Sequence, residues 1–499
     1  MICHIDDFLQ KSVKKFPHKT LFKEMGGVSI TYKEFDDLSQ KVATKLLNTL
    51  AKEPIQSPIL IILPKSINTL ISFFGVAKSG NFYTLLDEKM PLQRVLKICE
   101  VLKPKAFITS KSLNLALDLP TLYTEDFKEY ERDEEALKQA RLRHIDTNLL
   151  YVFFTSGSTG LPKGVSISHK SVIDYAFWVS EEFEFSENSN LANQAPLYFD
   201  NSILDIFPTI KEGGSVHLVP NSLFAFPIKV LEYLEKESVN TIFWVPSVLI
   251  YFANTDALEK FKLEKLKKVL FCGEIMPNKQ LNYWRSHLPN TLFANLYGPT
   301  EITDVCCFYK VDREFKDEEL LPIGKACHNT ELLVFDENNN LIKPDEVGKK
   351  GELFVRGSCL TLGYYNDKEK TKAALVQNPL HDHFYDPLYK TGDIVSYNEF
   401  GELLCYGRVD FQIKFKGHRV ELGEIEAVLN SHAKIKNSAC IFKNEQIIAF
   451  YESDEELNLK AFLKDKLPSY MIASSFVRVD GFKLNANGKI DRKILSEKI

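Results

Sequence analysis

The chain has 499 residues, more than one hydrophobic core accommodates, so two or more domains are expected. It is 44% hydrophobic and 26% charged, the composition of a globular protein rather than a disordered or fibrous one. Lys+Arg 62 against Asp+Glu 67 leaves a net charge of −5 with no basic tract, which argues against a dedicated nucleic-acid binder.

In chain order, Ile59-Leu60-Ile61-Ile62-Leu63 reads as a strand, and Ser66 through Lys78 has apolar spacing suited to a helix that Ser79-Gly80 ends. Lys105-Ala106-Phe107-Ile108-Thr109 is the next strand, an order that favours a parallel sheet covered by helices. Leu149–Phe154 reads as a buried strand, and the same alternation continues with strand candidates at 215–219, 241–245 and 268–272. From about 320 the texture changes to short strands between turns, at 331–335, 351–355 and 401–406, which suggests a small antiparallel or barrel-like unit. A compact tail begins near Gly407-Arg408-Val409-Asp410. It carries the alternating Phe411-Gln412-Ile413-Lys414-Phe415 and a helix around Leu422–Asn430.

No apolar run approaches the ~20 residues that cross a bilayer, and the start lacks the basic-then-apolar order of a signal peptide, so a cytoplasmic location is expected. The nine cysteines form no Cys-x-x-Cys pair, which argues against zinc or redox motifs. The neighbours Cys306-Cys307 read as reduced thiols in a strand.

Four segments carry chemistry. Thr155-Ser156-Gly157-Ser158-Thr159-Gly160-Leu161-Pro162-Lys163-Gly164 follows a strand and combines glycines, hydroxyls and one lysine. Backbone N–H groups, hydroxyls and a cation suit a polyphosphate, although the spacing is not that of a Walker A loop. Asn295-Leu296-Tyr297-Gly298-Pro299-Thr300-Glu301 offers a flat ring for a base, an amide that both donates and accepts, and a hard oxygen ligand for Mg²⁺. Lys390-Thr391-Gly392-Asp393 reads as a turn presenting a carboxylate to ribose hydroxyls, with Arg408 as a further donor. Asn487-Gly488-Lys489 is a tight turn that can present Lys489 to developing charge. Each segment taken alone is more often a plain surface turn; their ordered co-occurrence favours the functional reading.

Together these segments resemble the adenylate-forming superfamily, and above all its amino-acid adenylation enzymes. That class includes nonribosomal peptide adenylation domains and D-alanine:carrier-protein ligases. The resemblance runs from Phe22–Leu38 through Tyr198-Phe199-Asp200-Asn201-Ser202 to Asn487-Gly488-Lys489. It implies an α/β fold. Residues 1–408 are expected to form a large N-terminal domain of parallel-type sheets layered with helices plus a small β-barrel-like subdomain. Residues 409–499 are expected to form a small mobile α+β C-terminal domain that swings about a hinge at Asp410. It also implies ATP and Mg²⁺, an acyl-adenylate made from a carboxylic acid, and passage of the acyl group to the phosphopantetheine thiol of a separate carrier protein.

By the same resemblance Thr155, Ser156, Gly157, Ser158, Thr159, Gly160 and Lys163 close on the ATP phosphates. Tyr297 stacks on adenine, Asn295 bonds its edge, and Leu296 and Gly298 lie beside them. Thr300 touches phosphate, Glu301 holds Mg²⁺, Asp393 and Arg408 hold the ribose, and Lys489 bridges the reacting carboxylate and phosphate. Lys416-Gly417-His418-Arg419 forms the loop that reaches the thiol tunnel in the second half-reaction. Asp200 holds a substrate α-ammonium, with the bland alternative that it caps a helix starting near Ser202. Cys272 crowds the substrate side chain, as in D-alanine ligases.

Two positions depart from the pattern: Asn201, where an apolar residue is usual, and Asp304, an acid in a side-chain pocket normally apolar. Either the substrate is polar, hydroxylated or carrying a second amine, or Asp304 turns away or pairs with a cation, because an unpaired buried acid is costly. The expected substrate is D-alanine or another small or polar amino acid. An acyl-CoA synthetase of the same fold, and a nucleotide-binding regulator that has lost catalysis, remain as alternatives.

Overall fold

The computed structural model describes residues 2–156, 162–408, 412–483, 490 and 492–497. The chain forms two compact units. The first comprises Met1–Glu88, Pro104–Phe153 and Val165–Gly407; the second comprises Lys89–Lys103, Phe154–Gly164 and Arg408–Ile499.

The first unit is built on three sheets. In a six-stranded sheet Pro58–Ile62 sits centrally, parallel to Phe82–Leu86 and to Ala106–Thr109, with Leu149–Thr155 and Lys163–Ser168 beyond Phe82–Leu86. Parallel strands need crossovers, and the helix Ile67–Lys78, capped at Ser66, supplies one. Every residue of Pro58–Ile62 is buried, as expected of a strand covered on both faces. A nine-stranded sheet carries Lys268–Cys272 parallel to both Thr241–Trp244 and Leu292–Tyr297. The third sheet is antiparallel and runs through Thr330–Phe335, Gly351–Gly357 and Pro387–Tyr397.

The expected strands at 59–63, 105–109, 149–154, 215–219, 241–245, 268–272, 331–335 and 351–355 all exist, most with ends shifted by a residue or two. Lys163–Ser168 is a strand rather than the end of a loop, because Val165 and Ile167 bury their apolar side chains in a sheet.

The second unit holds a three-stranded sheet, Asn437–Lys443, Gln446–Glu452 and Ser475–Val479, packed with the helix Leu422–Asn430. A hairpin pairs Gln412–Phe415 with His418–Glu421. Lys416 (φ 51°) and Gly417 (φ 79°) form its two-residue turn, the left-handed pair that matches strand twist. The helix Leu92–Leu102 also belongs to this unit. Its Arg94 is 5% exposed and forms an ion pair with the buried Glu424 of the helix Leu422–Asn430.

Candidate functional site

The adenine candidates and one ribose candidate, Asp393, lie in the first unit, while Arg408 belongs to the second. Leu292–Tyr297 carries Asn295, Leu296 and Tyr297 out of the core of the nine-stranded sheet. Asn295 donates its side-chain N–H to the Pro322 carbonyl at 2.8 Å, which fixes the amide. The Tyr297 hydroxyl donates to the Asp393 carboxylate, so the ring read as a stacking platform and the carboxylate read as a ribose ligand form one contact.

The segment around Asp393 is not a turn, contrary to the sequence reading. It is a bulge within the strand Pro387–Tyr397: between the pairs Glu352–Ile394 and Phe354–Lys390, three residues face one. Gly392 (φ 78°) supplies the left-handed step. The Thr391 hydroxyl donates to the Leu353 carbonyl at 2.7 Å and accepts the Asp393 N–H at 3.0 Å. The bulge thereby aims Asp393 with a locked backbone.

Thr300 and Glu301 lie in a short 3₁₀ turn, Thr300–Ile302. Glu301 is fully buried and accepts from the Tyr364 hydroxyl at 2.7 Å. Gly298 is required by close approach: a Cβ there would lie 2.2 Å from the Asp304 carbonyl oxygen.

The substrate candidates form a second cluster in the same unit. Asp200 is 7% exposed. The following helix, Ser202–Glu212, starts from Asn201 with no side-chain cap bond. Cys272 ends the strand Lys268–Cys272 and is buried. Asp304 is 1% exposed and follows Thr303, both residues in the left-handed region (φ 58° and 73°). Such a conformation is strained for a β-branched threonine, and strain of this kind gathers at functional sites.

Asp304 is buried rather than solvent-facing. Its carboxylate accepts from the Tyr175 hydroxyl at 2.6 Å. Burial first, then the charge and bond of Asp304 and the proximity of Cys272, push the Tyr175 phenol well above its ordinary range, so it stays a donor. Tyr151 is fully buried, feels the charges of both Asp200 and Asp304, and its hydroxyl has no hydrogen-bond partner among the described residues.

The phosphate-loop candidates belong to the second unit. The Ser156 hydroxyl donates to the Arg419 carbonyl at 2.9 Å and accepts the Glu421 N–H at 3.0 Å. Lys163 pairs with Glu421 at 3.5 Å. His418 stacks on Tyr470, ring centroids 3.8 Å apart, and burial followed by the nearby Lys416 lowers it to about 4. Thr155 ends its strand with a buried hydroxyl that lacks a partner among the described residues, and Arg408 ends the strand Leu403–Arg408. Gly157, Ser158, Thr159, Gly160, Asp410 and Lys489 lie outside the described residues.

Sequence reasoning missed Tyr175 and Tyr364, which orient the two buried acids, and the buried Lys65. Lys65 donates to the Gln194 and Val219 carbonyls at 2.7 and 2.9 Å; burial lowers it to about 7, against the pull of Asp205. Burial likewise raises Asp205 to about 8, opposed by a bond from Asn193 and the charge of Lys65.

A histidine trio, His4, His144 and His169, gathers with ring centroids 4.2–4.3 Å apart. His4 Nδ1 accepts the Asp6 N–H while its Nε2 donates to the Ala77 carbonyl, and His169 Nδ1 accepts the Ile5 N–H. A neutral imidazole has one lone pair. Two of the three are therefore spent on backbone, and we assign the trio no metal.

The signature of the AMP-binding enzyme family matches residues 9–365, well over half the chain. The chain belongs to the AMP-binding enzyme family. This AMP-binding enzyme is 31% identical over 488 residues to a D-alanine--D-alanyl carrier protein ligase of Bacillus velezensis, covering 94% of this chain and 95% of the relative. It is 33% identical over 487 residues to the Zwittermicin A synthase ZmaJ of Bacillus cereus, covering 94% and 90%. In fold it is similar to the Vibrio cholerae adenylation domain AlmE, solved with glycyl-adenosine-5'-phosphate. The TM-score is 0.85, with 20% identity and coverage of 100% of this chain and 98% of that one. The chain is thus an AMP-forming ligase, and no helix among the described residues is long and apolar enough to cross a membrane.

Proposed function

We propose that this ligase activates a small amino acid, D-alanine or a polar amino acid of similar size, and passes it to the phosphopantetheine thiol of a separate carrier protein. The observation that carries the reading is Asp200. It is buried in one cluster with Cys272 and Asp304, at the position where the resemblance puts an ammonium-binding carboxylate. A buried carboxylate selects for a cation, which a fatty or aryl acid lacks. The similarity to the Bacillus velezensis ligase over 94% of the chain supports the same reading.

In the first half-reaction an amino-acid carboxylate oxygen bonds to the α-phosphorus of ATP as the bond to the β-phosphate bridge breaks, and pyrophosphate leaves. In the second, a thiolate sulfur bonds to the acyl carbon and AMP leaves. Asn295 and Tyr297 hold the base, Asp393 and Arg408 the ribose, and Thr155, Ser156, Lys163 and Thr300 the phosphates. Lys489 neutralises charge at phosphorus; loss of one such contact typically costs on the order of 10²–10³ in rate.

Glu301 fits Mg²⁺: its buried carboxylate is oriented by Tyr364, and one carboxylate beside phosphate oxygens and water is the usual Mg²⁺ environment. The ion would supply charge neutralisation on the phosphates. We assign the hinge to Asp410 and the moving lid to 409–499; dependence on ATP fits the cytoplasm.

ATP–pyrophosphate exchange over an amino-acid panel tests the reading. Exchange with a small amino acid, lost in Lys489→Ala and Asp200→Ala, is expected. Exchange with fatty or aryl acids alone would overturn it.

A further inference from the structure

A cavity of about 310 Å³ opens in the first unit among residues that belong to none of the nucleotide or substrate candidates. The start of the chain, the helices Tyr32–Thr49 and Ile67–Lys78, and the segment 132–141 enclose it. The space equals that of about ten waters, enough for a small amino acid with water beside it. Leu137 is the one apolar side chain among the described residues that line it, so the cavity suits a polar occupant.

Its two ends differ in charge. At the buried end Lys78 pairs with Asp6 at 2.8 Å and with Asp36, so two acids share one cation. Gln10 and Gln40 donate their side-chain N–H groups to Asp36 at 2.8 and 2.7 Å. An amide that gives its nitrogen to an acid turns its oxygen away, and neither oxygen accepts a hydrogen bond among the described residues. Burial, above all, keeps His4 neutral. This end lacks a positive charge and offers acceptors, and a buried acid selects for a cation. The open end is the reverse. Lys138 is exposed and has no ion pair or hydrogen bond among the described residues. Arg141 engages Asp7 and Cys3 through a single terminal nitrogen, which leaves further N–H donors on its guanidinium. Arg132 lies beside them, paired with Glu134, which is itself 80% exposed.

We propose that this cavity binds a free α-amino acid as a zwitterion, its ammonium meeting Asp6 and the amide oxygens of Gln10 and Gln40, its carboxylate meeting Lys138 and Arg141. A group of each sign on one small molecule completes both ends at once, which a lone anion or a lone cation does not. The partners are held in advance: the Asp6 N–H donates to His4 Nδ1 at 3.0 Å, and Asp7 anchors Arg141 at 2.9 Å, so binding orders few side chains. The inference stands on this cavity and not on the amino-acid reading of Asp200, and either can fail without the other.

The experiment is amide hydrogen exchange on the full-length protein without ATP, read at 137–142, which line the cavity or adjoin it. The probes are glycine and both enantiomers of alanine, glutamate and lysine, with acetate, methylamine and inorganic phosphate as one-signed controls. An amino acid at about ten times its Kd should slow exchange there about tenfold. Acetate, methylamine and phosphate should give less than a tenth of that protection at equal concentration. Acetate or phosphate as effective as the best amino acid makes this an anion site and overturns the inference, as does the absence of protection by any amino acid. Lys138→Met removes a cation that has no partner to strand, so the fold is kept, and the amino-acid concentration for half-protection should rise about tenfold or more. Lys138→Arg, which keeps the charge, should stay within about threefold of the parent. Protection that survives Lys138→Met unchanged reports binding elsewhere, at the activation site included, and overturns the assignment of the carboxylate to this cavity. Equal losses in the two variants overturn the charge argument.

Discussion

The ion pair between Arg94 and Glu424 joins two helices that lie more than 300 residues apart in the chain, and its removal should loosen both. The side chains are 5% and 1% exposed. At an effective dielectric of about 20, two unit charges in contact gain roughly 4 kcal/mol, against several kcal/mol of desolvation per ion. Glu424→Gln keeps the shape and strands a buried guanidinium, for an expected loss of about 3–5 kcal/mol.

Tryptophan fluorescence cannot read this change, because Trp178, Trp244 and Trp284 all lie in the first unit. Amide hydrogen exchange can: amides of 92–102 and 422–430 should exchange about 10²- to 4 × 10³-fold faster, at tenfold per ~1.4 kcal/mol. Those of the strand Lys268–Cys272 should be unchanged. The double variant Arg94→Leu with Glu424→Leu, which leaves no unpaired charge, should recover most of the protection. Exchange in Glu424→Gln within threefold of the parent would refute the reasoning.

Three further outcomes are expected. Glu421→Gln removes one carboxylate from beside Lys163, and the ATP KM in the exchange assay should fall roughly three- to tenfold; an unchanged KM would mean the pair does not compete with phosphate. Tyr364→Phe removes the donor that orients Glu301, so the Mg²⁺ concentration for half-maximal exchange should rise about 10-fold or more, and an unshifted Mg²⁺ titration would count against Glu301 as a ligand. His4 is lowered to about 3 by burial, then by Arg141 and, least, by Lys78, with the Ala77 bond and Asp7 opposing. Its unfolded form takes up a proton below about 6.5, so stability is unaffected at pH 8 and falls as pH drops from about 6.5 towards 3, by up to ~1.4 kcal/mol per pH unit. The melting temperature of His4→Asn should fall less steeply over that window than the parent's.

Local pattern carried most of the fold. Pro58–Ile62 is apolar throughout because it is buried on both faces, and Ile67–Lys78 announces itself by spacing and by its Ser66 cap. The bulge at Asp393 escaped because Thr-Gly-Asp has the composition of a turn, and only the partner strand shows that pairing resumes on either side. The acids of the site were visible as residue types, but their environment was not. Tyr175 lies 129 residues from Asp304 and Tyr364 lies 63 from Glu301, and no local periodicity links a tyrosine to an acid at such distances. Lys65 was hidden for the same reason: a lysine after a strand normally reads as solvated, and its burial is a tertiary fact.

The contact between Gly298 and the Asp304 carbonyl closes the segment 298–304 at a neck with no room for a side chain. Under the proposed roles of Tyr297 at the base and Asp304 near the amino acid, a shift at either end of that segment displaces the other. On that proposal amino-acid preference should drift together with nucleotide affinity, and a graft that exchanges only the residues around the amino acid should disturb how ATP sits.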